Sequence, residues 1–218
     1  MTTSLNATVK LNNGVEMPWF GLGVWQVKDG DEAKDSVKAA IKAGYIGIDT
    51  AAAYKNEQSV GEAIRESGVN PSDLFITSKV WNGDQGYEET LAAFDTTMEK
   101  LGLDVLDLYL IHWPVQGKYK DTWRAMEKLY KDGRIRAIGV SNFQPHHLDD
   151  LLADAEVVPA VNQVEFHPLL TQAALLDYCA KKGIQVEAWS PLARGLLFEN
   201  EVVTRPRGNY GNSPAPIL

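Results

Sequence analysis

Gly47-Ile-Asp-Thr-Ala-Ala-Ala-Tyr-Lys-Asn-Glu57 is the stretch on which the fold turns. The apolar run from Tyr45 to Ile48 reads as a short buried strand that stops on a carboxylate, Asp49. Small residues follow, then a phenol, Tyr54. Asn56-Glu57 then supplies a helix cap and a first-turn acid, opening a helix through Ile64. A strand end, a loop and a helix start in so few residues make a βα joint. A carboxylate at the mouth of a buried strand needs a partner, because an unpaired buried charge is very costly.

Outward from that joint, the same rhythm recurs. Thr8-Val-Lys-Leu, Asn12-Asn-Gly14 and Val15-Glu-Met17 predict a β-hairpin on an Asn-Gly turn. Phe20 to Trp25 is an apolar run whose glycines permit close backbone approach. Helices are expected over 31–43, 56–68, 87–101, 122–131, 146–153 and 172–182. Between them lie strands ending at Lys79, His112, Ser141-Asn142, Val164 and Trp189. Units of roughly 25–30 residues are the spacing of βα units in a parallel sheet. A G-x-G-x-x-G turn would favour an open dinucleotide-binding sheet, but Gly21-Leu-Gly23 runs on into Val24-Trp25-Gln26. The expected fold is therefore an α/β (β/α)₈ TIM-type barrel, one domain over 1–218, with an N-terminal hairpin at 8–17.

Composition narrows the function classes. The chain has 218 residues and a formal charge of −8, with no basic run to support nucleic-acid binding. No stretch is apolar enough to span a bilayer, and Met1-Thr-Thr-Ser lacks the regions of a signal peptide. The expectation is a cytoplasmic protein without membrane or nucleic-acid partners. The single cysteine, Cys179, falls on the apolar face of a helix and reads as inert filler. No cluster of metal ligands is evident.

Asp49, Lys79 and His112 each come directly after a buried apolar run. In a barrel, that placement brings them to the C-terminal mouth, where barrel enzymes build their sites. Taken singly, Asp49–Lys79 is a structural ion pair, Tyr54 a rim aromatic and His112 a core histidine. Together at one mouth they point to catalysis. The chemistry suggested is proton transfer to a carbonyl oxygen. A phenol with an ordinary pKa of about 10 is a weak acid, and a nearby ammonium lowers that value. Asp49 would hold Lys79 charged, His112 would orient the carbonyl, and a nicotinamide hydride would complete a reduction. Trp25, Trp81 and Trp113 suggest an apolar substrate wall, and no basic residue that would grip a substrate is evident.

Beyond Gly47–Glu57, the motifs Ile76-Thr-Ser-Lys79, Leu110-Ile-His-Trp-Pro114, Gly139-Val-Ser-Asn-Phe143 and Asn162-Gln-Val-Glu-Phe-His-Pro168 occur in order. Together they resemble the aldo-keto reductases, in the bacterial branch of 2,5-diketogluconate and glyoxal/methylglyoxal reductases. The resemblance runs from Thr8 to about Leu197. It implies NADPH, with NADH as the alternative, and a catalytic tetrad of Asp49, Tyr54, Lys79 and His112 with Tyr54 as the acid. It implies that Ser141, Asn142 and Gln163 hold the nicotinamide carboxamide. The ring would stack on Trp189, where many members have Tyr, and Ser190 and Leu192 would lie along the pyrophosphate. The implied substrates are small carbonyls: 2-oxoaldehydes such as methylglyoxal, keto sugars or keto acids. The family expectation is a monomer. A rival reading is a catalytically silent barrel with impaired cofactor binding that acts as a binding or structural protein.

The resemblance weakens over the tail, 198–218. Asn200-Glu-Val-Val-Thr starts a helix that Pro206, in Arg205-Pro-Arg-Gly208, would break. Tyr210-Gly-Asn-Ser-Pro-Ala215 again looks like the family. This pattern fits a short frame error followed by truncation, or a natural or engineered shortening. The reading expects about seven strands, a last βα unit missing, an open seam that favours association, and weak, similar binding of both cofactors.

Overall fold

The computed structural model describes residues 5–196 and 198–200. Strands β1 (Thr8–Lys10) and β2 (Glu16–Pro18) form the expected antiparallel hairpin. The chain then alternates β3 (Gly21–Gly23), α1 (Asp31–Lys42), β4 (Gly47–Asp49), α2 (Glu57–Ser67), β5 (Phe75–Val80) and α3 (Tyr87–Leu101). It continues through β6 (Leu106–Ile111), α4 (Tyr119–Lys131), β7 (Ile135–Ser141), α5 (Pro145–Leu152), β8 (Val161–Glu165), α6 (Ala173–Lys182) and β9 (Gln185–Trp189). Strands β3 to β9 form one parallel seven-stranded sheet whose spatial order is the chain order. An open doubly wound sheet reverses its order at a switch point, and this one never does. It curls one way into a nearly closed barrel of the TIM type.

The walls follow from alternation along each strand. On β6, Tyr109 and Ile111 turn outward into the core shared with the helices, while Leu108 and Leu110 turn inward. The inward set, with Phe75, Ala137, Ala160 and Val161, packs against Leu11 and Met17 of the hairpin, which plugs the barrel floor. Asn12 and Asn13 fix the plug by donating to the carbonyls of Pro159 and Arg136. At the β3–β4 pair the backbones approach closely. A Cβ on Gly21 would sit 3.2 Å from the Gly47 carbonyl oxygen.

Gly139, on β7, is tighter still. A Cβ there would meet the Val161 carbonyl oxygen at 2.6 Å and Leu110 Cδ2 at 2.8 Å. Gly139→Ala is expected to destabilise the fold by about 1–3 kcal/mol through overpacking. A denaturant midpoint equal to that of the native protein would refute this.

Three expectations need correction. Lys79 does not follow its strand: β5 continues to Val80, which pairs with Ile111. Asp49 is the last residue of β4, whose ladder begins at Gly47 rather than Tyr45. Only His112 lies directly past its strand, because in a sheet walled on both faces an inward charge need not wait for the apolar run to end. Asn56 occupies the helix N-cap position, but its side chain makes no cap bond. Instead it donates to the carbonyls of Val24 and Val27 and accepts from Thr50 Oγ1, stapling the first two mouth loops together.

Among the described residues, no strand joins β9 to β3, and every residue of β9 is at least partly exposed. The expected break at Pro206 and the rest of the tail after 200 lie outside the described residues.

Candidate active site

The mouth is built around Lys79. Its side chain points inward from β5 and is 1% exposed. A lysine ammonium has three donors, and here each meets an acceptor. These are Asp49 Oδ1 at 2.5 Å, the Thr50 carbonyl at 2.9 Å and the Tyr54 oxygen at 3.4 Å. The geometry settles a direction. The Tyr54 oxygen accepts from the ammonium, so its own O–H is left to donate into the cavity. Burial works against the charge of Lys79, but Asp49, Tyr54 and Glu187 together outweigh it and hold the pKa above the ordinary value.

His112 stands beside this group, its ring edge-on to Tyr54 at 5.7 Å and to Trp81 at 5.2 Å. Burial, aided by the charge of Lys79, drives its pKa down to about 3, so the ring is neutral. Among the described residues its buried Nδ1 has no partner, which leaves Nε2 as the nitrogen that reaches the cavity.

For Tyr54 the expected shift runs the other way. Burial pushes the phenol above its ordinary value, and the opposing pull of Lys79 is too weak to reverse it. Asp49 adds to the rise. The phenol therefore stays protonated near neutrality, as a proton donor must.

Across the barrel, Gln163 faces inward from β8. Its Nε2 donates to Asp49 Oδ2 and to Glu187 Oε2, both at 2.8 Å. Ser141 Oγ donates to the Gln163 carbonyl, and Asn142 Nδ2 donates to Ser141 Oγ and the His112 carbonyl. Asn142 Oδ1 accepts from the indole of Trp189 at 3.0 Å. Asn142 holds this place at φ 64°, in the left-handed region that asparagine tolerates. Ser141, Asn142, Gln163, Trp189 and Ser190 thus meet at one wall of a cavity of about 1430 Å³. Leu192 is exposed and is not part of that wall.

Trp25, Trp81 and Trp113 line the opposite rim, each partly open to solvent. Two lining residues escaped the sequence reading. Arg194 sets its guanidinium 5.0 Å from the Trp25 ring centre, so a basic group does stand at the mouth. Glu187 lies on β9, two residues before Trp189, and alternation along that strand was the signal for it. Cys179 is buried away from the cavity against Asn162, with its thiol raised by burial, which makes it a poor nucleophile. Among the described residues, no group of three metal-ligating side chains occurs, and no helix is long and apolar enough to cross a membrane.

Comparison with known proteins matches residues 20–214 to the Aldo/keto reductase family. The chain belongs to this family. Among curated aldo/keto reductase relatives, it is 67% identical over 218 residues to glyoxal reductase of Bacillus subtilis, covering all of this chain and 79% of that one. It is 44% identical to methylglyoxal reductase DkgA of Escherichia coli, covering 96% of this chain and 77% of the relative. The crystal structure of an aldo/keto reductase from Brucella melitensis superposes with a TM-score of 0.92 at 48% identity, covering 96% of this chain and 81% of that one. A solved Gox0644 variant in complex with NADPH superposes at 0.93 and 39% identity, covering 99% and 78%. This aldo/keto reductase is thus an oxidoreductase whose inward-facing polar residues gather at the strand ends of the barrel.

Proposed function

We propose that the chain, acting as a single domain, reduces small aldehydes and ketones to alcohols with NADPH, NADH being the alternative. Tyr54 is the general acid. The observation that carries this is the three-way saturation of the Lys79 ammonium, which turns the Tyr54 hydroxyl outward beside a neutral imidazole. A reduced nicotinamide, when bound, supplies the hydride. Gln163 fits the carboxamide of that group: both of its amide hydrogens are taken by carboxylates, so its Oε1 is free to accept from a primary amide. The Trp189 indole, anchored by Asn142, offers a flat face for the ring, and Ser190 would lie along the phosphates.

In this reading a carbonyl oxygen sits between Tyr54 Oη and His112 Nε2. The imidazole holds the oxygen as negative charge develops, and Tyr54 passes it a proton. Lys79 stabilises the phenolate left behind, and Asp49 keeps Lys79 in place. The tryptophan rim suits short apolar carbonyls, and Arg194 would attract those that carry a carboxylate. The names of the glyoxal and methylglyoxal reductase relatives favour 2-oxoaldehydes. The reading places the enzyme in the cytoplasm as a monomer.

NADPH consumption with methylglyoxal and a panel of aldehydes, ketones and keto acids tests it. Oxidation with none of them would leave the silent barrel as the better account. His112→Gln is expected to alter the ranking of carbonyls within that panel far more than the affinity for NADPH, since orientation is lost before acidity. An unchanged ranking would remove His112 from the substrate's side of the site.

A further inference from the structure

We propose that Glu187 is a positioning residue of this site, and that its ionisation turns reduction down by drawing on the charge of Lys79 and the amide of Gln163. The proposal rests on the reductase reading above. Its basis is a mismatch in numbers: two carboxylates, Asp49 and Glu187, share one ammonium and one amide. Gln163 Nε2 divides its two hydrogens between them at equal distances of 2.8 Å, whereas of the two carboxylates Lys79 Nζ bonds to that of Asp49. Glu187 thus faces a lysine whose ammonium is already taken by Asp49.

The ionisable groups that bear on it are Asp49 from β4, Tyr54 from the loop above it, and Lys79 from β5. Its other close contact, Gln163 from β8, is neutral. Glu187 as a residue is partly exposed beside the gap, but burial of its carboxyl end comes first in raising it, and the charge of Asp49 comes next. Gln163 and Lys79 oppose both, and the result is about 7 against an ordinary 4.5. The carboxyl therefore changes charge within the range where the enzyme would work.

The consequence follows from charge. With Glu187 neutral, Lys79 answers to Asp49 and to the nascent phenolate of Tyr54. With Glu187 ionised, a second negative charge raises the phenol further, as its influence on Tyr54 already indicates. Proton release to the carbonyl becomes harder, and reduction slows as pH rises.

Glu187→Gln keeps the shape and an acceptor for Gln163 but cannot ionise. With saturating methylglyoxal and NADPH, the ratio of kcat at about pH 8 to that at about pH 6 is read in each protein. An ionised Glu187 makes the phenol a weaker acid, so the native ratio should fall several-fold below one while that of the variant stays flat. The same fall in both proteins would overturn the proposal.

Thermal unfolding gives a second readout that needs no turnover. The folded protein holds the Glu187 proton more tightly than the unfolded chain does, so the associated stability is full below about 4.5 and lost as pH rises toward about 7. The melting temperature of the variant should gain on that of the native protein across this interval. A constant difference would also overturn the assignment. Absence of turnover with every carbonyl would count against the reductase reading, while the unfolding comparison would still decide whether Glu187 titrates there.

Discussion

Replacing Tyr54 with phenylalanine is expected to cut turnover at least 10²–10⁴-fold, on the order of what general acid catalysis contributes. The ring would keep its place, because the short turn at Ala52–Tyr54 and the edge contact with His112 do not need the hydroxyl. The Lys79 ammonium would lose its longest bond, 3.4 Å, and keep the two shorter ones to Asp49 and Thr50. Cofactor affinity and the unfolding midpoint should therefore change little. A variant within tenfold of native turnover would mean that another group donates the proton, and His112 could not readily replace it as an acid with its pKa near 3.

Lys79→Met should be worse on both counts. Methionine fills the space but removes every bond the ammonium makes, so the Tyr54 oxygen faces no cation when it gives up its proton. Turnover should fall by at least as much as in the phenylalanine variant. Asp49 would keep Gln163 but lose its counter-charge in a site where the lysine is almost fully covered. Breaking a buried pair on one side costs about 3–5 kcal/mol. The raised pKa of Lys79 sets the pH window. The contribution is complete below the unfolded lysine value of about 10.4 and is lost only as pH climbs through the higher folded value. An unchanged melting curve at neutral pH would show that water already screens the pair.

Much of this was legible in the residues. Strands buried on both faces appear as mainly apolar runs, so β5, β6 and β7 announced themselves and the βα rhythm followed. Asp49, Tyr54, Lys79 and His112 stood out because ionisable groups near such runs need a reason. What stayed hidden depends on which way a side chain points. Asn56 has the identity of a helix cap, and only the fold shows that it reaches back to Val24 and Val27. Glu187 sits in a strand with mixed neighbours, where one more acid looks like a solvated face until Gln163 is seen beside it. Arg194 lies on a loop, and its approach to Trp25 is a matter of backbone path. The direction of the Tyr54 shift pits desolvation against a nearby charge, and sequence does not carry depth.

The bond from Gln163 to Asp49 spans the lumen from β8 to β4. Among the described residues, the sheet between β9 and β3 has no rungs, so this strap and its branch to Glu187 act as a hoop across the gap. Girth and chemistry are thereby set by the same few atoms. Whatever spreads the staves also draws Gln163 away from Asp49, and a substrate that tightens the mouth would brace the cask.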